Sequence, residues 1–300
     1  MAKTALVFRP TGSQGKAVVK HLASSGWNVR AFIPDPLSER ALALKYLGNN
    51  ISLFKGTLDD LTAMDTAMEG CDAIFLVQMP SWTDDSETRD AANIIRAAKA
   101  AGIEHIVVST LLGIDRANIA DIFSHPIIAP VVDGKVKVEK LVRESGLQWT
   151  FLHPGWFNTN VTLPVVNIQY PGLSQGKLVC SYQPQWAVGT VDPDDIGAFA
   201  AMVFNDPRKF SGSIIDVLSE IVTVEDIFKE IERATGKKIE VHYRTAEENQ
   251  TAFDNPYAIG QSLMKDLEPF LDIEKARSYG IPLTTFRQFL KKNKESVVPK

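Results

Sequence analysis

The sequence predicts an α/β protein: a Rossmann-type doubly wound parallel sheet followed by a smaller C-terminal α+β lobe. Three observations predict it. Short apolar and β-branched runs alternate with amphipathic helical patterns through the first 155 residues. A pair of glycines, Gly12 and Gly15, falls between the first such run and the first helix. The alternation then stops beyond Pro154, where Pro, Gly and Asn crowd residues 154–176.

In chain order, strands are expected at Thr4–Phe8, Trp27–Ile33, Ile51–Phe54, Ala73–Val77, His105–Ser109 and Leu147–Leu152. Helices are expected at Lys16–Ser24, Leu61–Met68, Ser86–Ala101 (stopped by Gly102) and Lys135–Glu144. Near-continuous apolar strands separated by helices belong to a parallel sheet covered on both faces. Further on come a helix near Asp194–Phe204, a strand Ser213–Leu218 and a helix Val224–Thr235 headed by a Thr223/Asp226 cap. The tail Glu247–Lys292 reads as mostly helical. Residues 1–155 are therefore the expected Rossmann domain. Residues 156–300 form mostly a smaller substrate-binding lobe, with a stretch near 190–218 returning to the main sheet. A ligand cleft is expected where the lobes meet, at the carboxyl ends of the strands.

Composition narrows the function classes. Three hundred residues bury enough surface for a substantial core without staples. A net charge of −4 gives no basic footprint for nucleic acid. The two cysteines, Cys71 and Cys180, are too few for a disulfide framework or a metal cluster, and read as small buried apolar residues. No metal site is expected. Neither a signal peptide nor a membrane span is legible, so a cytoplasmic location is expected. The oligomeric state is not legible.

The glycine turn carries the chemistry. Between strand and helix, glycines let backbone amides and a helix N-terminus approach a pyrophosphate, which makes Thr11, Gly12, Ser13, Gln14 and Gly15 the candidate phosphate loop. A full Gly-x-x-Gly-x-x-Gly pattern would start at position 9, which is Arg9. If that position needs a positive φ, arginine carries a steric cost there. Either Arg9 fills the phosphate site, or its guanidinium binds a phosphate. The bland reading is that the glycines serve only tight strand–helix packing. Asp35, twenty residues past Gly15, suits a ribose diol or a simple turn between Pro34 and Pro36. Arg40 and Ser38 suit a 2′-phosphate instead.

The turn TGSQG (Thr11–Gly15) is similar to that of the NmrA-like family, the atypical branch of the short-chain dehydrogenases, and fungal members in particular. The resemblance extends through VRAFIPDP (Val29–Pro36), AGIEHIVVST (Ala101–Thr110), DGKVKVEKLVRESGLQWTFLHPGWF (Asp133–Phe157), VDPDDIGAFAAMVFNDPRKFSG (Val191–Gly212) and SEIVTVEDIFKEIERATGKKIEV (Ser219–Val241). It implies a bound NADP(H) or NAD(H), with NADP slightly preferred, and a small organic substrate, including those of secondary metabolism. The chain departs from the family at Pro34, where a polar residue usually meets the adenosine ribose, and at Thr57, where an Asp often follows the third strand.

In short-chain dehydrogenases a Tyr-x-x-x-Lys helix supplies the acid and a lysine for the nicotinamide ribose. The resemblance maps that lysine onto Lys135, but the acid position is Val131. Ser109 and Thr110 occupy the region of the family's serine. Replacement acids near in sequence are His153, His125 and Asp133. The leading expectation is thus an NAD(P)H-dependent reductase. The alternatives are a dinucleotide sensor without turnover, and a non-redox cyclisation or rearrangement enzyme on the same fold.

Overall fold

The computed structural model describes residues 2–251 and 255–299, so part of the expected helical tail, residues 252–254, lies outside the described residues. From the N-terminus the chain runs β1 (Thr4–Phe8), α1 (Ser13–Ser24), β2 (Asn28–Ile33), α2 (Glu39–Leu42), β3 (Ile51–Lys55), α3 (Leu61–Met68), β4 (Ala73–Val77), α4 (Ser86–Ala100) and β5 (His105–Ser109). It continues through α5 (Ile119–Ile122), α6 (Ala129–Glu144), β6 (Gln148–Pro154), β7 (Trp156–Phe157), α7 (Val166–Gln169), β8 (Lys177–Cys180) and β9 (Ala187–Val191). Then come α8 (Pro193–Asn205), α9 (Pro207–Phe210), β10 (Ser213–Val217), β11 (Glu220–Thr223), α10 (Val224–Thr235) and β12 (Glu240–Tyr243). Four short helices close the chain: α11 (Ala246–Thr251), α12 (Pro256–Ser262), α13 (Ile273–Ser278) and α14 (Phe286–Lys292).

The main sheet has the order β10-β6-β5-β4-β1-β2-β3. β1 pairs in parallel with both β2 and β4, so the chain builds outward to β3, then crosses back and builds the other way. That reversal is the switch point of a doubly wound sheet, beyond whose strand ends ligands bind. The expected α/β class is the observed one. β5 is buried along its whole length, as a strand covered on both faces must be. Leu6, Ile74, Leu76, Ile106, Val108 and Phe151 pack against α3, α4 and α6. Full burial of each such side chain contributes roughly 1.5–3 kcal/mol.

Local chemistry sets the helix boundaries. The Asp60 carboxylate accepts from the Ala63 amide and starts α3. α6 begins at Ala129, six residues before the expected start, because Pro130 lies in a first turn that has no use for its missing N–H.

The chain divides into two compact units: residues 1–114, 130–153 and 196–215 in one, and 115–129, 154–195 and 216–300 in the other. The second holds a sheet of order β11-β9-β7 and the parallel pair β8–β12. Its core is built from Tyr170, Tyr182, Phe228, Phe286 and Phe289, with Trp156 packed on it. Trp156 Nε1 donates to the Tyr170 hydroxyl at 3.0 Å, which lies 2.9 Å from that of Tyr182. Burial pushes the Tyr182 phenol up to about 12. Thr223 caps α10 through Asp226, as the sequence predicts. Both cysteines are buried free thiols, and burial raises each pKa.

Candidate active site

β1 delivers the chain to Arg9, which takes φ = +50°, the left-handed region. For a residue with a Cβ this costs about 1–2 kcal/mol. The turn is held by the Arg9 carbonyl, which accepts from the Gly12 amide at 3.0 Å. Gly12 is then the N-cap of α1. The two glycines differ. A Cβ on Gly12 would sit 3.4 Å from the Arg9 carbonyl oxygen, an ordinary contact, whereas one on Gly15 would sit 2.2 Å from it. Gly15 is therefore a packing glycine. Gly12 is open on its outer side, where α1 presents its first amides and the positive end of its dipole.

Beside this turn lies a cavity of about 350 Å³, lined by Arg9, Thr11, Gly12, Pro34, Arg40 and Thr57 among others. Arg40 Nη2 donates to the Thr11 carbonyl at 3.2 Å, which holds a second guanidinium at the rim. Partial burial lowers the Arg9 pKa from its ordinary value. Asp35 is occupied otherwise: its Oδ1 accepts from the Leu37 amide at 2.9 Å and its carbonyl from Ser38 Oγ at 2.8 Å. This is an Asx turn, the second of the two readings of that residue. Ser13 is exposed at the first position of α1. Gln14 points toward the sheet, its Oε1 accepting from Ser109 Oγ at 2.7 Å.

Lys135 is 8% exposed on α6. Its Nζ donates to the Gln78 carbonyl at 2.9 Å, at the end of β4, and forms an ion pair with Glu87 of α4. Gln78 Nε2 in turn donates to the Glu87 carbonyl at 2.8 Å. Burial lowers the Lys135 pKa from its ordinary value and the Arg9 charge adds to this, while Glu87 opposes both. The Arg9 charge, at the β1–α1 turn, thus acts on Lys135.

One turn further on, Glu139 accepts from Thr110 Oγ1 at 2.6 Å and from Arg143 Nη2 at 2.8 Å, and its Oε1 lies 2.8 Å from His153 Nε2. Burial pushes the Glu139 carboxyl up. His153, Thr110 and Arg143 together outweigh that, and its pKa ends below the ordinary value.

The replacement acids fare differently from the lysine. His153 is 0% exposed, so in this conformation it has no surface from which to reach a substrate. Asp133 lies two residues from Lys135, which on a helix is about 200° around the axis, and it is exposed on the other side of α6. His125 belongs to the second unit. There its Nδ1 accepts from the Ile127 amide at 3.3 Å, and it lines a cavity of about 230 Å³ with Ser181, Asn249, Ile259 and Leu263. Val131 offers no proton.

Glu87, Gln78 and Gly134 were not legible as site residues. A signal for Glu87 does exist: with Ala91, Ile94, Ile95 and Ala98 it shares the buried stripe of α4, where an acid is out of place. Among the described residues no cluster of three or more metal-ligating side chains occurs, and no helix is long and apolar enough to cross a membrane.

A model of the NmrA-like family matches residues 1–277. The chain belongs to the NmrA-like family. Among its relatives is a (4-alkanoyl-5-oxo-2,5-dihydrofuran-3-yl)methyl phosphate reductase of Streptomyces griseus, 27% identical over 78% of this chain and 74% of that protein. NmrA, a negative transcriptional regulator solved in complex with NADP, superposes with a TM-score of 0.75 at 21% identity, over 97% of this chain and 95% of that one. The NADPH-dependent quinone oxidoreductase of Escherichia coli, complexed with NADPH, gives 0.76 at 20% identity, over 96% and 99%. The NmrA-like fold thus serves a regulator and reductases alike.

Proposed function

We propose that the β1–α1 turn binds NADP(H), and that the chain is an NAD(P)H-dependent reductase of a small organic substrate. The observation that carries the dinucleotide reading is the cavity at the N-terminus of α1, bordered by two guanidiniums and by a glycine open to an approaching phosphate. Arg40 supports a 2′-phosphate on the ribose, and Asp35 uses one carboxylate oxygen in its own turn, which weakens its case as the acid for a free 2′-hydroxyl. NADP is therefore preferred to NAD. The dinucleotide supplies a hydride when bound. The protein's part is to orient it: Gly12 and the α1 amides with Arg9 at the pyrophosphate, Arg40 at the adenosine side, Lys135 at the second ribose.

Family membership and the reductases among the relatives support turnover. One set of observations favours a second reading, a dinucleotide sensor without turnover: Val131 stands at the acid position, and His153 is enclosed. A reductase here draws the proton from water or from the substrate itself.

Calorimetry with NADPH and NADH tests binding, and NADPH consumption with para-benzoquinone as probe acceptor tests turnover. Tighter NADPH than NADH binding supports the assignment; absence of both refutes it. Binding without consumption across a panel of carbonyl and quinone acceptors selects the sensor. Arg9→Gly separates the two roles of that residue: weaker binding makes Arg9 a phosphate ligand, tighter binding makes it an obstruction.

A further inference from the structure

Lys135 has three N–H donors, and two are engaged inside the protein, by the Gln78 carbonyl and by Glu87. Those two partners come from different elements, the end of β4 and the first turn of α4. They are themselves joined through Gln78 Nε2 and the Glu87 carbonyl. The ammonium is thereby fixed from two directions, and its third donor has no partner among the described residues.

The acid that does this is costly. Glu87 is 4% exposed, and its Oε2 is buried without a hydrogen-bond partner among the described residues. A buried pair with an unsatisfied oxygen is a poor stabilising device, because desolvation of both charges is only partly recovered. It also demands room. A Cβ on Gly134 would lie 2.9 Å from that same Oε2, so a side chain on the helix residue next to Lys135 would displace the Glu87 carboxylate from its present position. Glycine in a helix is itself unfavourable relative to alanine. Two local penalties, at Glu87 and at Gly134, thus serve a single outcome, the fixed position of one ammonium.

We propose that Glu87 is the positioning residue for Lys135, aiming its remaining donor at a ribose hydroxyl of the bound dinucleotide, and that Gly134 is the opening that admits it. The inference rests on the dinucleotide reading above. Glu87 also keeps Lys135 charged. The groups that act on Lys135 from neighbouring elements are Glu87, which favours the ammonium, and Arg9, which disfavours it. Without the carboxylate, burial and Arg9 act unopposed.

The test is Glu87→Gln, with NADPH binding to the full chain measured by calorimetry from about pH 7 to 10, and unfolding followed in parallel. The expected result is a cooperatively folded variant that binds NADPH roughly 10- to 100-fold more weakly. Its affinity should fall further as pH is raised, and at lower pH than in the wild type, because burial and Arg9 then favour the neutral amine unopposed. A merely structural role would lower the unfolding midpoint without creating that pH dependence. Gly134→Ala should weaken binding in the same direction, and the double variant should be no worse than Glu87→Gln alone, since both act on one carboxylate. Wild-type NADPH binding with an unchanged affinity and pH profile in Glu87→Gln overturns the positioning role and leaves the dinucleotide reading standing. No NADPH binding by the wild type overturns both. Should Gly134→Ala fail to fold, Glu87→Gln alone decides.

Discussion

Two buried charges sit one turn apart on the same face of α6, and they are treated in opposite ways. Glu139 is saturated: a hydroxyl, a guanidinium and an imidazole all point at it, from β6, from the end of β5 and from its own helix. Lys135 is left incomplete, with two partners for three donors, one of them an acid that is itself half satisfied. A saturated network gives nothing to a ligand. It locks the rotation of α6 against β5 and β6, and so sets where the lysine stands. The incomplete one keeps a donor in reserve at a cost in stability. Counting partners thus separates a charge fully used inside the fold from one that is not, on a single helix.

The largest effect expected is on the saturated side. Glu139→Ala leaves His153, Thr110 and Arg143 without their acceptor and should destabilise by about 3–5 kcal/mol, read from chemical denaturation. A loss below about 1 kcal/mol would mean that α6 is held by packing alone, and the contrast would collapse.

His105 offers a buried ionisable group with a neutral partner. Its Nε2 lies 3.0 Å from Thr150 Oγ1, which donates onward to the Phe210 carbonyl, so the ring must itself donate from Nε2. Burial, aided by Lys3, lowers its pKa from 6.5 to about 4. The unfolded chain therefore binds the proton first on acidification. Stability that is complete above about pH 6.5 should fall progressively toward pH 4, by roughly 3 kcal/mol in all. His105→Gln should flatten that part of the profile, and an unaltered slope would assign the acid sensitivity to carboxylates such as Glu139.

Removing both members of the incomplete pair sharpens the contrast. Lys135→Met with Glu87→Met should stay within about 1 kcal/mol of the wild type, because two desolvated charges are exchanged for apolar volume. NADPH affinity should nevertheless be lost. A double variant as fragile as Glu139→Ala would make both networks structural.

The smallest stability effect is expected at the turn. Gly12→Ala has room for its Cβ and should cost under about 1 kcal/mol in stability, yet it should impair NADPH binding where a phosphate must approach. Gly15→Ala should damage the fold itself. If the two behave alike, the turn serves packing only.

Much of this was legible in the sequence. The largely buried strands β1, β4 and β5 match the sequence reading to the residue, since short runs dominated by apolar residues between turns leave little choice. The short strands β8, β9, β11 and β12 were missed, being four or five residues long and half exposed or rich in Gly and Thr. Their pairing is decided by tertiary partners rather than by pattern. At the candidate site, the glycines stand out by their spacing between strand and helix, and Lys135 only through the family resemblance. Glu87 does not, because its role depends on a lysine 48 residues away. Asp133, though near Lys135 in sequence, lies exposed on the other side of α6, because residues two apart on a helix point to opposite sides.

The left-handed turn at Arg9 has a kinetic consequence. Its carbonyl is committed to the Gly12 amide and wedged against Gly15, so the loop is already shaped before any ligand arrives. A polyanion meeting such a loop has no rearrangement to wait for, and its arrival is governed by diffusion in the field of Arg9 and Arg40. Association should therefore slow as salt is added, while the lifetime of the complex, set by short-range contacts, stays nearly constant.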